Sequence, residues 1–258
     1  MLKVFVDINK INKKWDKIDL PFFLKFNFLQ IFYKTHTDIS HIFAIYDNTR
    51  LYGHIFKIKF RKAKNYLSKN SIFNLILSFI NFDVLYLTNS FITNVPAFTS
   101  KQSINLKELL KNIRKNYSIV VIPDFLYNKL IVEDNSYKKV EVEEEMVLNI
   151  KSEWNTLVDY TSDLKMKYRN KVKKIMKQTS EIEIRKLNVT DLEKHAIKIK
   201  KLFNQVAKSS QFSGPIFNTG SFIHFVKQKF MKIDGYFIND KLVGFSSIIE
   251  KEEKLYSY

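Results

Sequence analysis

The chain has 258 residues, 45% of them apolar and 15% aromatic, with 43 lysines and arginines against 26 aspartates and glutamates, a formal net charge of +17. This composition excludes a disordered chain and supplies enough apolar side chains for a sizeable core. With no cysteine, disulfide frameworks, Cys-containing zinc sites and thiol nucleophiles are also excluded.

The first residues, Met1-Leu-Lys-Val-Phe-Val-Asp7, lack the apolar run of a signal peptide. A helix is expected over residues 21–33. Residues 41–46, the polar Asp47-Asn-Thr-Arg50 and residues 51–60 read as a hairpin of two β-rich runs around a turn. Apolar spacing predicts a helix over 66–81 and a short strand over 83–89. Around residues 72–82 the apolar run is broken by Asn74, Ser78 and Asn81 and is shorter than the ~20 residues a membrane span needs, so a cytoplasmic protein is expected. Leu106, Leu109, Leu110, Ile113 and Tyr117 follow helical spacing, with Ser103 or Asn105 as N-cap. Residues 118–122, ended by Pro123, read as a buried strand. Helices and strands alternate, which predicts a mixed α/β (α+β) class.

Residues 138–150 read as an acidic, strand-like run, and a domain boundary is placed near Ile150, dividing the positive charge almost equally between residues 1–150 and 151–258. In the second part Thr190-Asp-Leu-Glu193 is a capping box that starts a helix with Leu192, Ala196, Ile199, Phe203 and Val206 on its apolar face. A second helix is expected after Asn218 or Ser221, with Phe222, Phe225, Val226, Phe230 and Ile233 on one side. A second hairpin follows over 235–249 around Asn239-Asp240, residues that tolerate positive φ. Asp47-Asn-Thr-Arg-Leu-Tyr-Gly53 is similar to Asn239-Asp-Lys-Leu-Val-Gly244. The likeness is either chance or the trace of a repeated module.

One segment concentrates the charge. Ser162 and Asp163 suit a helix start; Leu164, Tyr168, Val172, Ile175 and Met176 then line one face. Lys165, Lys167, Arg169, Lys171, Lys173, Lys174 and Lys177 cover the rest, with no acid among them. Such a helix is either a solvated surface or an anion site. Lysine, asparagine, isoleucine, phenylalanine, tyrosine and methionine, all with AT-rich codons, make up about half the chain, so part of the lysine excess reflects codon usage. Arginine is rarer: Arg50, Arg61, Arg114, Arg169 and Arg185 are the only five, and the planar fork of Arg169 favours phosphate or carboxylate recognition. The five histidines, His36, His41, His54, His195 and His224, show no metal-ligand spacing, and each reads as a surface or core residue.

Lys167-Tyr-Arg-Asn-Lys-Val-Lys-Lys174, followed by the strand Ile182-Glu-Ile-Arg185, resembles the Lys-x-Arg-x-x-(Ile/Val)-(Lys/Arg)-Lys pattern of the FemABX-type transferases and related GNAT-superfamily N-acyltransferases. The helices over 190–208 and 221–231, the hairpin over 235–249 and Leu255-Tyr-Ser-Tyr258 resemble the first half of a GNAT module in order and spacing. The resemblance implies two tandem GNAT-like modules with mixed, mostly antiparallel sheets flanked by helices: residues 1–150, and the first half of a second module over 151–258. It implies transfer of an acyl or aminoacyl group to an amine, from acyl-CoA (acetyl-CoA) or from aminoacyl-tRNA, without a metal. It also implies an anion-binding role for Lys167, Arg169, Lys173 and Lys174, and a donor-facing role for the strand Leu255, Tyr256, Ser257 and Tyr258. No catalytic residue is named by it; Asn239 and Asp240 are explained by the turn, and Glu250, Glu252 and Glu253 by a solvated strand end. The (Gln/Arg)-x-x-Gly-x-(Gly/Ala) pyrophosphate loop of the family is missing after residues 83–89 and after residue 254. The chain is therefore expected to be either an incomplete version of a longer protein or a copy without a donor site. The alternative function is a non-catalytic RNA- or polyanion-binding protein.

Overall fold

In the computed structural model of the chain, which describes residues 2–59, 81–92, 95–99, 103–132, 137–141, 146–209 and 214–257, both expected hairpins form. The first joins β2 (Ser40–Tyr46) to β3 (Thr49–Lys59), closing at the Tyr46–Thr49 pair with Asp47 at φ 46°. The second joins β10 (Lys232–Ile238) to β11 (Lys241–Lys251), with Asn239 and Asp240 both in the left-handed region at φ 48° and 59°. Two consecutive positive-φ residues give the turn whose twist matches the strands on either side.

The chain is mixed α+β. In the first half β1 (Lys3–Phe5), α1 (Asn12–Trp15) and α2 (Phe26–Thr35) precede the hairpin, and β4 (Asn81–Tyr86), β5 (Phe98–Thr99), β6 (Ile104–Asn105), α3 (Leu106–Asn112), β7 (Ile119–Val121), α4 (Asp124–Tyr127) and β8 (Leu130–Ile131) follow it. The main sheet runs β1-β2-β3-β4-β7, antiparallel throughout except that β7 lies parallel to β4; β5 adds to β3, and β6 and β8 form a separate parallel pair. A parallel neighbour requires a crossover, and α3 lies on that crossover, started by Asn105, whose side chain accepts from the Glu108 amide at 3.0 Å. Gly53 lets β3 and β4 meet: a Cβ there would sit 2.8 Å from the Tyr86 carbonyl oxygen.

The second half repeats the opening of the first. After α5 (Leu157–Asp163) and α6 (Met166–Gln178) come β9 (Glu183–Lys186), α7 (Val189–Ser209), α8 (Ser221–Lys227), β10, β11 and β12 (Lys254–Ser257). The sheet order is β12-β11-β10-β9, all antiparallel. Strand, two helices, hairpin and a further antiparallel strand thus occur twice in the same order.

The two halves share one core. Phe28 and Phe32 of α2, both fully buried, pack on Phe225 of α8 at ring-centroid distances of 5.4 and 5.2 Å, and Phe217, Phe222, Ile233 and Leu242 join the same cluster. Arg50 is buried at 3% exposure and takes part in no anion site. Its guanidinium donates to the carbonyls of Lys14, Trp15, Asp47 and Thr49 at 2.7–3.0 Å, tying the first hairpin turn to α1.

Several expectations need correction. Asn81 belongs to a strand, and the rest of the helix expected over 66–81 lies outside the described residues. The strand expected over 83–89 ends at Tyr86. The helix expected through Tyr117 stops at Asn112, because the chain turns extended at Ile113. β7 is an edge strand, so Ile119 and Val121 are each 40% exposed where a buried strand was expected. The described residues of 138–150 form no strand; they have no neighbouring strand to pair with, and Val140 and Met146 are 75% and 96% exposed. Ser162 and Asp163 end α5, whose own start is held by a reciprocal capping box of Thr156 and Asp159; the basic helix begins at Met166, with Lys165 at its N-cap and no side-chain cap. The start of α7 is held by Asn188 and Asp191, each side chain accepting from the other's amide, which displaces the box expected at Thr190 and Glu193. On α7 Leu192 and Ile199 are buried and Phe203 packs partly buried against the core, while Ala196 and Val206 are exposed. The second helix ends at Lys227, where Lys229 enters the left-handed region at φ 56°, so Phe230 lies beyond it and Ile233 belongs to β10.

Candidate functional site

Pockets in two-layer folds form where elements from different units meet, and one does so here. The C-terminal end of α2 and the segment after it (Thr35, Thr37, Asp38) face α7 (Lys200, Phe203, Asn204) and the segment before α8 (Ile216, Phe217, Asn218, Thr219) across a cleft of about 310 Å³. Among the described residues its lining combines apolar Phe203, Ile216 and Phe217 with one carboxylate, Asp38, and one ammonium, Lys200, and it draws on both halves of the chain. The walls are joined by Asn218, whose side-chain amide donates to the Thr35 carbonyl at 2.7 Å and whose backbone amide donates to His36 Nε2 at 2.9 Å.

Behind this wall lies a buried polar chain. His36, His41, Tyr52 and His54 are 1%, 3%, 1% and 0% exposed, and their hydrogen bonds fix the protons. The Asn218 amide occupies the Nε2 lone pair of His36, so the His36 proton is on Nδ1 and is donated to Thr35 Oγ1 at 2.9 Å; Thr35 passes its own to the Ile31 carbonyl at 2.7 Å. The Ser90 amide donates to His54 Nδ1 at 3.1 Å, which puts the His54 proton on Nε2, donated to the Tyr52 hydroxyl at 2.7 Å. Tyr52 then donates to His41 Nδ1 at 2.8 Å, and His41 Nε2–H donates to the His36 carbonyl at 3.2 Å. The Ser90 hydroxyl lies 2.7 Å from His54 Nδ1. Every ring nitrogen is used and every imidazole is neutral, as burial requires. Burial pushes His36 and His41 down to about 4, holds His54 well below the ordinary histidine range, and raises Tyr52 well above the ordinary tyrosine range. Among the described residues no group of histidine and carboxylate side chains is placed to hold a metal ion.

At the C-terminal end of β4, Thr88 and Asn89 are buried at 3% and 4%, and Thr88 Oγ1 and Asn89 Nδ2 have no hydrogen-bond partner among the described residues. The Leu87 amide donates to Val121 at 3.1 Å, the last bond of the parallel β4–β7 pair.

The residues singled out in the sequence lie elsewhere. Lys167, Lys173 and Lys174 are exposed on α6, away from the cleft lining. Arg169 is half-buried, and its Nη2 donates to the carbonyls of Ser162 and Leu164 at 2.6 and 3.1 Å, satisfying backbone acceptors where α5 ends; its Nε is buried without a partner among the described residues. Asp163 accepts from Lys151 at 2.6 Å and from the Trp154 indole at 3.2 Å. On β12 Leu255 is 57% exposed and Ser257 exposed, Tyr256 packs edge-on against Phe23 at 4.9 Å, and Tyr258 lies outside the described residues. Glu252 and Glu253 form the β11–β12 turn at φ 51° and 61°, and Glu250 pairs with Lys232.

The histidine chain was missed in the sequence, although a signal for it exists. Counting back from the Tyr46–Thr49 closing pair places His41 directly opposite His54. Comparison of the chain with protein-family models, with curated proteins and with solved structures returns no match.

Proposed function

We propose that the chain is an N-acyltransferase of the GNAT or FemABX-like kind, moving an acyl or aminoacyl group from acyl-CoA or aminoacyl-tRNA to an amine. The observation that carries this reading is the element order: strand, two helices, hairpin and antiparallel strand, twice, and in the first half a parallel strand after a crossover helix. That is the order the resemblance implies for tandem modules. In this reading the cleft between the halves takes the acceptor. Asp38 attracts its ammonium group, Lys200 offsets a negative charge elsewhere on it, and Phe203 and Phe217 cover its apolar part. The amine, after losing a proton to solvent, attacks the donor carbonyl directly, backbone N–H groups stabilise the oxyanion, and its collapse breaks the thioester or ester bond and releases CoA as the protonated thiol or tRNA as its ribose hydroxyl.

The test is to incubate the protein with acetyl-CoA, and separately with aminoacylated tRNA, in the presence of a panel of primary amines, and to search for the acylated amine by mass spectrometry. Transfer from one donor, with Asp38→Asn raising KM for the amine and leaving KM for the donor unchanged, is the expected result. If neither donor binds nor is consumed, the reading fails.

A further inference from the structure

The stretch from residue 146 to 176 holds ten of the 23 large apolar side chains that stand exposed among the described residues. Neither α5 nor α6 has a buried residue. On α6 the helical repeat places Tyr168, Val172, Ile175 and Met176 within an arc of about 100°. Tyr168, Ile175 and Met176 are 53%, 48% and 52% exposed. Lys167, Lys171, Lys173, Lys174 and Lys177 occupy the remaining arc, and no carboxylate lies on the helix. A helix divided in this way, with Met166 at its first position the one large apolar residue outside the arc, rich in lysine and open along its apolar side, has the chemistry of one that lies in a membrane interface.

We propose that α6 docks flat on an anionic lipid bilayer, its apolar arc at the acyl-chain boundary and its lysines reaching up to the headgroups. The lysine stems suit this geometry, since they lie along apolar material while the ammonium stays wet. Complementary charge holds the helix to the surface, while exposed apolar area supplies a term that charge alone does not. A nucleic acid is the poorer partner. Its phosphates are best read by arginine forks, and the single arginine of α6 has Nη2 engaged by Ser162 and Leu164; a row of isoleucine, valine and methionine also offers nothing to a base. A second copy of the chain would bring two lysine-clad helices together. No helix among the described residues is long and apolar enough to span the bilayer. The inference stands apart from the acyl-transfer reading.

The full chain is sedimented with vesicles of phosphatidylcholine alone and with vesicles in which about a third of the lipid is phosphatidylglycerol, each lysine near the surface contributing about fivefold to partition. Binding to the anionic vesicles only is expected, weakening with salt. Lys171→Glu/Lys174→Glu should abolish it and Ile175→Ser/Met176→Ser weaken it severalfold. Thermal melts superimposable on wild type check that both variants fold. The proposal is overturned by equal partition to both vesicle types, or by an apolar variant that binds like wild type. It is also overturned if the chain retains a single-stranded RNA that depends on the lysines alone, or forms a dimer that Ile175→Ser/Met176→Ser dissociates.

Discussion

Acidification from pH 7 to pH 5 is expected to destabilise this fold through its buried histidines. His36 and His41 are held neutral in the folded state, with pKa values near 4 against about 6.5 when unfolded. Because the folded values are depressed, the stability they carry is complete above pH 6.5 and is lost as pH falls from there toward 4. By linkage each histidine costs about 2 kcal/mol at pH 5 and about 3 kcal/mol at pH 4. The pair therefore removes about 4 kcal/mol at pH 5, a large fraction of the 5–15 kcal/mol typical of a domain, and His54 acts in the same direction. The carboxylates whose pKa values are lowered by hydrogen bonds, Asp159, Asp163, Glu183 and Glu250, lose their contribution only below about pH 4.5, so the window from 7 to 5 belongs to the imidazoles. Urea unfolding at pH 7, 6 and 5, followed by far-UV circular dichroism, measures the loss. A decline of less than about 1 kcal/mol between pH 7 and 5 would refute the argument, since it would mean that water or a rearranged chain solvates the charged rings.

Further outcomes follow from other contacts. Tyr52→Phe leaves His41 Nδ1 and His54 Nε2–H facing each other's vacated partner and should cost about 1–3 kcal/mol in the same urea assay. Arg50→Lys cannot reproduce the four carbonyl contacts and is expected to lower stability by about 3 kcal/mol, at the upper end for hydrogen bonds to a charged group. Gly53→Ala meets the Tyr86 backbone and should be markedly worse than Gly244→Ala, whose added methyl meets only the Tyr236 ring at 3.3 Å; equal melting temperatures would contradict the close approach of β3 and β4. Phe225→Ala should cost about 3–5 kcal/mol and, in a Trp154→Phe background, shift the fluorescence transition of Trp15 in the opposite half. An unmoved Trp15 transition would mean that the halves unfold separately.

The sequence was most informative where one residue's backbone preference decides the outcome. Asp47, Asn239 and Asp240 tolerate the left-handed region, so both hairpins were legible, although Thr49 and Arg50, read as part of the first turn, already pair in β3. Helix ends were less so: Ser162 and Asp163 look like caps in the sequence, but they close one helix at Leu164, where the chain turns extended, and the basic helix starts beyond it. Arg169 shows a deeper limit. Its fork was read as suited to an outside anion, but carbonyl oxygens seven and five residues back are nearer than any ligand. The cleft was invisible for a different reason: Asp38, Lys200 and Asn218 are far apart in the chain and meet only because α2 and α8 pack through phenylalanines. The histidine chain needed the turn register together with the position of Ser90, which no local pattern supplies.

The aromatic packing between α2 and α8 has a consequence for whatever occupies the cleft. Proteins with two lobes commonly admit a ligand by swinging the lobes apart on a hinge, but Phe217, which lines this cleft, belongs to the same core as Phe28, Phe32 and Phe225, and Asn218 joins the two walls. Spreading the lobes would strip those rings from one another, so the route in is over the rim, past Asp38 and Lys200. Discrimination among ligands then rests on the charge and shape that Asp38 and Lys200 give the opening.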